Sequence, residues 1–87
     1  MFSGNQFPSG MVQIGDRCAI TDNNGLSIYR YIGGNPRVST NWVLVEGRLA
    51  AQPDTTGWGT NQAGAAWYNY VDSQAYMWDG VQIVINA

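Results

Sequence analysis

Apolar residues recur along the chain in short runs that are rich in Val, Ile, Tyr and Trp. Gly, Asn, Asp or Pro bounds each run, which is typical of β-strands separated by turns. From residue 12 onward no window has apolar residues at helical spacing without an interrupting Gly or Pro, so we expect no helix beyond a turn or two. The predicted strands cover residues 17–21, 26–32, 42–48, 66–71, 75–78 and 81–86.

Two of these strands have patterns that predict different surroundings. Residues 42–45, Trp-Val-Leu-Val, are apolar on both faces, which predicts a place in the middle of the core or within a subunit contact. In the last strand, Gln82 and Asn86 alternate with apolar residues, so one face should be exposed to solvent. The apolar residues that should share the other face are Val81, Ile83 and Ile85.

Turn sequences connect the predicted strands. Residues 22–25, Asp-Asn-Asn-Gly, tolerate positive φ and should close a hairpin. Residues 72–74 and 79–80 should form two further tight turns, the last of a kind favoured for type I′ geometry. Residues 50–64 are small and polar, which predicts a long loop whose one large residue is Trp58.

The predicted strands also form a weak internal repeat. Each copy has the order strand, Asp turn, aromatic-x-aromatic-x-Gly, strand. The aromatic motif is Tyr-Arg-Tyr-Ile-Gly at residues 29–33 and Tyr-Met-Trp-Asp-Gly at residues 76–80. Two such hairpin or meander units predict an all-β fold, either a small antiparallel sandwich or a partly open barrel.

Length and composition predict the domain organisation. A chain of 87 residues has room for one domain. We divide it into a first β unit at residues 12–48, a loop at 49–65 and a second β unit at 66–87. Residues 1–11 are rich in Gly, Ser and Asn and predict an irregular arm or loop. Because so small a core stands near the lower limit of independent stability, we expect help from an oligomer or larger assembly.

The chain carries few charges. Asp, Glu, Lys and Arg make up 11% of its residues, against about 25% in an average soluble domain. Covering an uncharged polar surface costs little desolvation energy, so this composition suits a packed interface. Four cations in a chain of net charge −2 argue against nucleic-acid binding. No apolar run approaches the ~20 residues of a membrane span, and the first residues lack the features of a signal peptide.

The sequence lacks most residue types on which catalysis depends. His and Lys are absent, which excludes His-dependent triads and Schiff-base chemistry. A glycosidase-type pair among the six acidic residues is the remaining catalytic alternative. Most of these residues lie in or beside turns, however, where Asp caps the backbone, and residues 22–25 lack the ligand spacing of a calcium loop. We therefore expect no enzymatic activity, metal or cofactor. Cys18 is interpreted as a small core residue and not as a reactive thiol.

Five segments resemble small β-modules of tailed-phage virion proteins, especially tail-fibre and other surface proteins. The resemblance covers most of residues 15–85 as a pattern of strands and turns without an invariant functional residue. The segments are residues 15–22 (Gly-Asp-Arg-Cys-Ala-Ile-Thr-Asp), 29–33, 41–44 (Asn-Trp-Val-Leu), 67–72 (Trp-Tyr-Asn-Tyr-Val-Asp) and 76–80.

This resemblance implies a structural protein of a phage particle, either a decoration (cement) protein on the capsid or a tail or fibre component. Such proteins are often trimers and contact other virion proteins, so the implied location is the virion, assembled in the host cytoplasm. Fibre modules usually lie within long chains that have a shaft. A chain that starts at Met1 and has 87 residues favours a small stand-alone surface or cement protein.

Aromatic residues are the candidate contacts for a partner or ligand. A carbohydrate-binding module is the alternative function, in which rings stack on the sugars of a host glycan and Asn or Gln bind the hydroxyls. Large aromatics within strands favour a place in the core or an interface, whereas Trp58 is either a binding anchor or a lid over the core. The candidate interface or ligand contacts are Trp58, Trp42, Tyr68, Tyr70, Phe2 and Phe7.

Overall fold

A computed structural model describes residues 2–86, with the side chain of Phe2 left out. Seven strands and two short 3₁₀ turns, at Ser39–Asn41 and Thr60–Gln62, are the regular elements of this part. The strands are β1 (Phe2–Gly4), β2 (Arg17–Asp22), β3 (Gly25–Tyr31), β4 (Trp42–Leu49), β5 (Ala66–Asn69), β6 (Gln74–Trp78) and β7 (Ile83–Ile85). Within residues 2–86, no helix has the length and apolar character that crossing a membrane requires.

The strands form one sheet in chain order, with β1 at one edge and β7 at the other. The strands of the meanders β2–β4 and β5–β7 are antiparallel. β1 and β2 are parallel, and so are β4 and β5. The sheet is therefore mixed, and it does not close into a barrel.

The prediction of an all-β fold is confirmed. Each of the six predicted strands corresponds to a strand of the sheet, with small shifts at the ends. The three predicted turns are present, and in each an Asp carboxylate accepts a bond from the backbone N–H two residues later. At the third turn Gly80 has a φ of 108°, whereas Asp79 is not among the described residues with positive φ. That turn therefore differs from type I′, which needs positive φ at both central residues.

The two meanders share a pattern of backbone hydrogen bonds. We call β2–β4 unit 1 and β5–β7 unit 2. Before β2, the Gly15 N–H donates to the Tyr31 carbonyl (2.9 Å), and the Tyr31 N–H donates to the Asp16 carbonyl (2.8 Å). Before β5, residues 64–65 make the same two bonds with Trp78, at 2.8 and 2.9 Å. The units meet edge to edge through the parallel pair of β4 and β5.

Buried side chains form two clusters. The first is built on Cys18, Tyr31 and Trp42, with Phe7 and Val12 packed against it. The predicted core position of Cys18 is confirmed, because Cys18 lies in the first cluster. The predicted central position of residues 42–45 is also confirmed, because β4 contributes to both clusters. The second cluster consists of Val43, Leu44, Leu49, Ala65, Trp67 and Trp78.

Two further features differ from the sequence predictions. Part of the N-terminal arm is a strand, because Phe2–Gly4 pairs with the open edge of β2. The apolar face of the last strand is also far more exposed than its alternation predicts. Val81, in the turn before β7, is 80% exposed and Ile85 is 59% exposed, whereas Ile83 is half-buried against the second core cluster.

Candidate functional site

Two of the candidate aromatic residues lie in the first core cluster. Trp42 is 1% exposed, and its indole N–H donates to the Pro36 carbonyl at 2.8 Å. Phe7 stacks on Trp42 with the ring centroids 4.9 Å apart, and it meets Tyr29 edge-on at 5.0 Å. These rings therefore fix the arm against unit 1.

Trp58 covers the second core cluster. Its half-buried ring meets Trp78 edge-on at 5.6 Å and Trp67 at 6.1 Å. The indole of Trp78 donates to the Gly59 carbonyl (2.9 Å), and that of Trp67 donates to Gln52 Oε1 (2.8 Å). Because the long loop is bonded on both sides of Trp58, the geometry is that of a lid over the core with one side towards solvent.

Tyr68 and Tyr70 are exposed, and both rings lie close to the side chain of one arginine. The guanidinium carbon of Arg48 is 5.6 Å from the centre of each ring, which is within cation–π range. The structure thus brings these two candidates together and separates them from Trp42, Phe7 and Trp58. The side chain of Phe2, the sixth candidate, lies outside the described part of the chain.

A groove with a volume of about 360 Å³ lies beside this Arg–Tyr cluster, and we call it the β3–β5 groove. Strand register creates it, because Leu26 pairs with Arg48 and Arg48 pairs with Tyr68 across three strands. Aliphatic side chains, one carboxylate and one guanidinium together suit the recognition of a partner side chain. The lining residues are Leu26, Ile28, Glu46, Gly47, Arg48 and Tyr68.

A second arginine feature lies on β2 and β3. The exposed side chains of Arg17 and Arg30 belong to residues that are directly opposite each other. Like charges at directly opposite positions destabilise a strand pair. A carboxylate or another anion from a partner would relieve this repulsion, so the pair is a candidate contact.

A polar hollow of about 270 Å³ lies next to Trp58. Within it, Gln62 is 2% exposed, its Nε2 donates to the Thr40 carbonyl (2.7 Å), and its Oε1 accepts from the Gly59 N–H (2.8 Å). Hydroxyl and amide groups of this kind bind sugar hydroxyls. The lining residues are Thr40, Asn41, Gly57, Gly59, Thr60, Asn61 and Gln62.

Acidic side chains accept bonds from turn backbones. Asp79 Oδ1 accepts from the N–H groups of Gln82 (2.9 Å) and Val81 (2.8 Å), and these bonds lower the pKa of Asp79. The hydroxyl and N–H of Thr56 likewise lower the pKa of Asp54. Carboxylates held in the charged form are poor general acids. The side chains of Asp16, Asp22 and Asp72 also accept hydrogen bonds from backbone N–H groups of their turns.

The remaining candidates for chemistry are the thiol of Cys18 and any cluster of metal-binding side chains. Burial raises the pKa of the Cys18 thiol, which therefore stays protonated as an unreactive core group. Between residues 2 and 86, no group of three or more His, Cys, Asp or Glu side chains has the arrangement of a metal site.

Sequence reasoning missed Arg48 and the β3–β5 groove. The alternation of Glu46 and Arg48 in β4 was an available signal, but the residues that flank them depend on strand pairing. Comparison with known proteins adds no further residue: the chain matches no protein-family model, curated protein or solved structure.

Proposed function

We propose that this chain is a non-enzymatic virion structural protein that binds a phage particle and decorates or stabilises it. It would act as a capsid decoration (cement) protein or as a tail or fibre component. The resemblance of the two meander units to virion β-modules supports this proposal, as does the low charge of the chain. The use of the acidic residues as turn caps supports a non-enzymatic role.

The β3–β5 groove is the observation that carries the proposal. Its aliphatic residues and Tyr68 lie at the surface, where Leu26 is 43% exposed and Tyr68 is 36% exposed. Exposed apolar groups with a polar rim are typical of protein interaction sites. Arg48 and Glu46 add charges that fix the orientation of a partner, because charged groups contribute specificity at interfaces.

Sedimentation with purified virions of the phage that encodes the chain tests this proposal. We expect the wild-type chain to sediment with particles that have been stripped of their loosely bound proteins. The double variant Arg48→Ala, Tyr68→Ala should stay in the supernatant, because it removes the cation and the ring at the groove. The matched control is Val71→Ala, at a residue 69% exposed and outside the groove. A wild-type chain that never sediments with the particles would contradict the proposal.

Carbohydrate binding is the second candidate, and the polar hollow beside Trp58 favours it. A glycan array compares the wild-type chain with Asn61→Ala, which changes the hollow, and with the groove variant. Loss of a glycan signal in Asn61→Ala alone would assign the sugar to the hollow. No signal from the wild-type chain would exclude this candidate for the glycans on the array.

A further inference from the structure

The contact between the two units involves residues on both faces of β4. Leu44 is 0% exposed and Val43 is 4% exposed, and both pack in one cluster with Ala65 and Trp67 of unit 2. The loop before β5 adds a polar contact, because Gln62 Nε2 donates to the Thr40 carbonyl at 2.7 Å. We call this contact the unit junction. It shows how one unit of this type binds the next.

Unit 2 leaves the corresponding surface uncovered. Tyr29 pairs with Leu44 in unit 1, and Tyr76 pairs with Ile85 in unit 2, so Ile85 is the counterpart of Leu44. Leu44 is fully buried, whereas Ile85 is 59% exposed. Val81, whose position corresponds to that of Thr40, is 80% exposed.

Two hydrogen bonds establish the position of Val81 in the repeat. The Ile32 N–H donates to the Asn41 carbonyl (2.9 Å), and the Asp79 N–H donates to the Gln82 carbonyl (3.1 Å). Asn41 and Gln82 are therefore counterparts, and the residue before each is Thr40 or Val81. Unit 2 thus exposes Ile85 and Val81, the counterparts of Leu44 and Thr40 in the unit junction, whereas Val84, the counterpart of Val43, is half-buried.

Unit 1 exposes the other half of the same contact. The Ala65 N–H donates to the Gln62 carbonyl (3.0 Å), and the Asp16 N–H donates to the Gln13 carbonyl (2.9 Å), so Gln13 is the counterpart of Gln62. Gln62 is buried in the unit junction, whereas Gln13 is exposed. Asp16 replaces the buried Ala65, and its carboxylate accepts from the Gln13 N–H at 2.9 Å within its own turn.

The two edge strands fit the same relation. β1 is parallel to β2, with Ser3 opposite Ala19, as the end of β4 is parallel to β5, with Arg48 opposite Tyr68. β1 therefore occupies the place of the second part of a β4 strand. β7 corresponds to the first part of β4, because β7 pairs with β6 in unit 2 as the first part of β4 pairs with β3 in unit 1.

We propose that copies of this chain bind head to tail, with unit 2 of one copy contacting unit 1 of the next through the contacts of the unit junction. β7 of the first copy and β1 of the second then fill the place of one complete β4. A head-to-tail contact of this kind is heterologous and builds rings or open chains. The inference rests on the proposed function, since it names the partner and the surface for self-association.

Cross-linking tests the head-to-tail contact directly. A chain with Gln13→Cys and Val81→Cys should give a ladder of linked copies with a short thiol cross-linker on a denaturing gel. Cys18 is buried and leaves the reaction unaffected. The matched control carries Gln13→Cys and Val71→Cys, since Val71 is 69% exposed but lies in the β5–β6 turn. No ladder, or the same ladder from both chains, would overturn the proposal.

Light scattering on chains without added cysteines provides the second measurement. The wild-type chain should have the mass of several copies, and Val81→Asp should have the mass of one copy because a charge would then lie in the head-to-tail contact. Val71→Asp should behave as the wild-type chain. A wild-type mass of one copy at concentrations at which the chain sediments with virions would overturn the head-to-tail contact while leaving the proposed function intact. Assembly of the wild-type chain without binding to virions would overturn the proposed function and leave the head-to-tail contact intact.

Discussion

Trp42 and Trp58 differ in burial, so their removal should lower the free energy of unfolding by different amounts. Trp42 is 1% exposed, stacks on Phe7, and bonds the Pro36 carbonyl. Trp42→Ala therefore leaves a cavity and an unpaired carbonyl, and we expect the free energy of unfolding to fall by about 3–5 kcal/mol. Trp58→Ala removes two edge-on ring contacts from a half-buried lid, and its loss should be about 1–3 kcal/mol.

Urea unfolding followed by far-ultraviolet circular dichroism measures both losses. Trp58→Phe is the control, since it keeps a ring over the second cluster and should recover much of the stability that Trp58→Ala loses. Equal losses at Trp42 and Trp58 would mean that Trp58 belongs to the core and is not a lid.

Exposure of single residues could be predicted only in part. Trp42 lies in a run that is apolar on both faces, so its burial follows from the sequence. Tyr68 and Trp67 are neighbours in β5, and the sequence does not distinguish the exposed ring from the buried one. The difference comes from the long loop that packs on Trp67, which is a contact between distant parts of the chain.

Strands and turns were predicted well because their signals are local. The Asp caps and glycines of the turns act within a few residues, and so does the alternation of side chains along a strand. The parallel pairing of β4 with β5 joins segments separated by a long loop, and no local signal indicates it. β1 was missed for the same reason, since Phe2–Gly4 becomes a strand only by pairing with β2.

β3 lies very close to β4 at Gly25. A Cβ at Gly25 would overlap the backbone oxygen of Arg48, and Gly25 has a φ of 134°. Gly25→Ala should therefore disrupt the pairing of the two strands and cost clearly more than the ~1–2 kcal/mol of left-handed backbone strain. Gly64 has a φ of 91° but nothing within 4 Å of such a Cβ, so Gly64→Ala should cost only the strain.

Thermal and urea unfolding of the two glycine variants separate the two costs. Both variants carry the same chemical change, so a difference in their midpoints reports the overlap with Arg48. Similar midpoints would show that β3 moves away from β4 without loss of stability, which would contradict the close approach.

At the scale of the whole molecule, β4 couples the two units. Trp42 contributes to the first core cluster, and Leu44, two residues later, contributes to the second. Neither meander has a core of its own that excludes β4, and small domains of this kind unfold in one cooperative step. We therefore expect far-ultraviolet circular dichroism, which reports the whole sheet, and tryptophan fluorescence, to which Trp58, Trp67 and Trp78 contribute from the second cluster, to give coincident unfolding curves.

Leu44→Ala tests this coupling at the unit junction. Because Leu44 is fully buried, the substitution should lower the free energy of unfolding by about 2–5 kcal/mol. The dependence of this free energy on urea should stay unchanged, because the whole sheet still unfolds together. Both spectroscopic curves should shift by the same amount. Two separate transitions, with the fluorescence change first, would show that unit 2 unfolds alone and that β4 does not join the units into one folding domain.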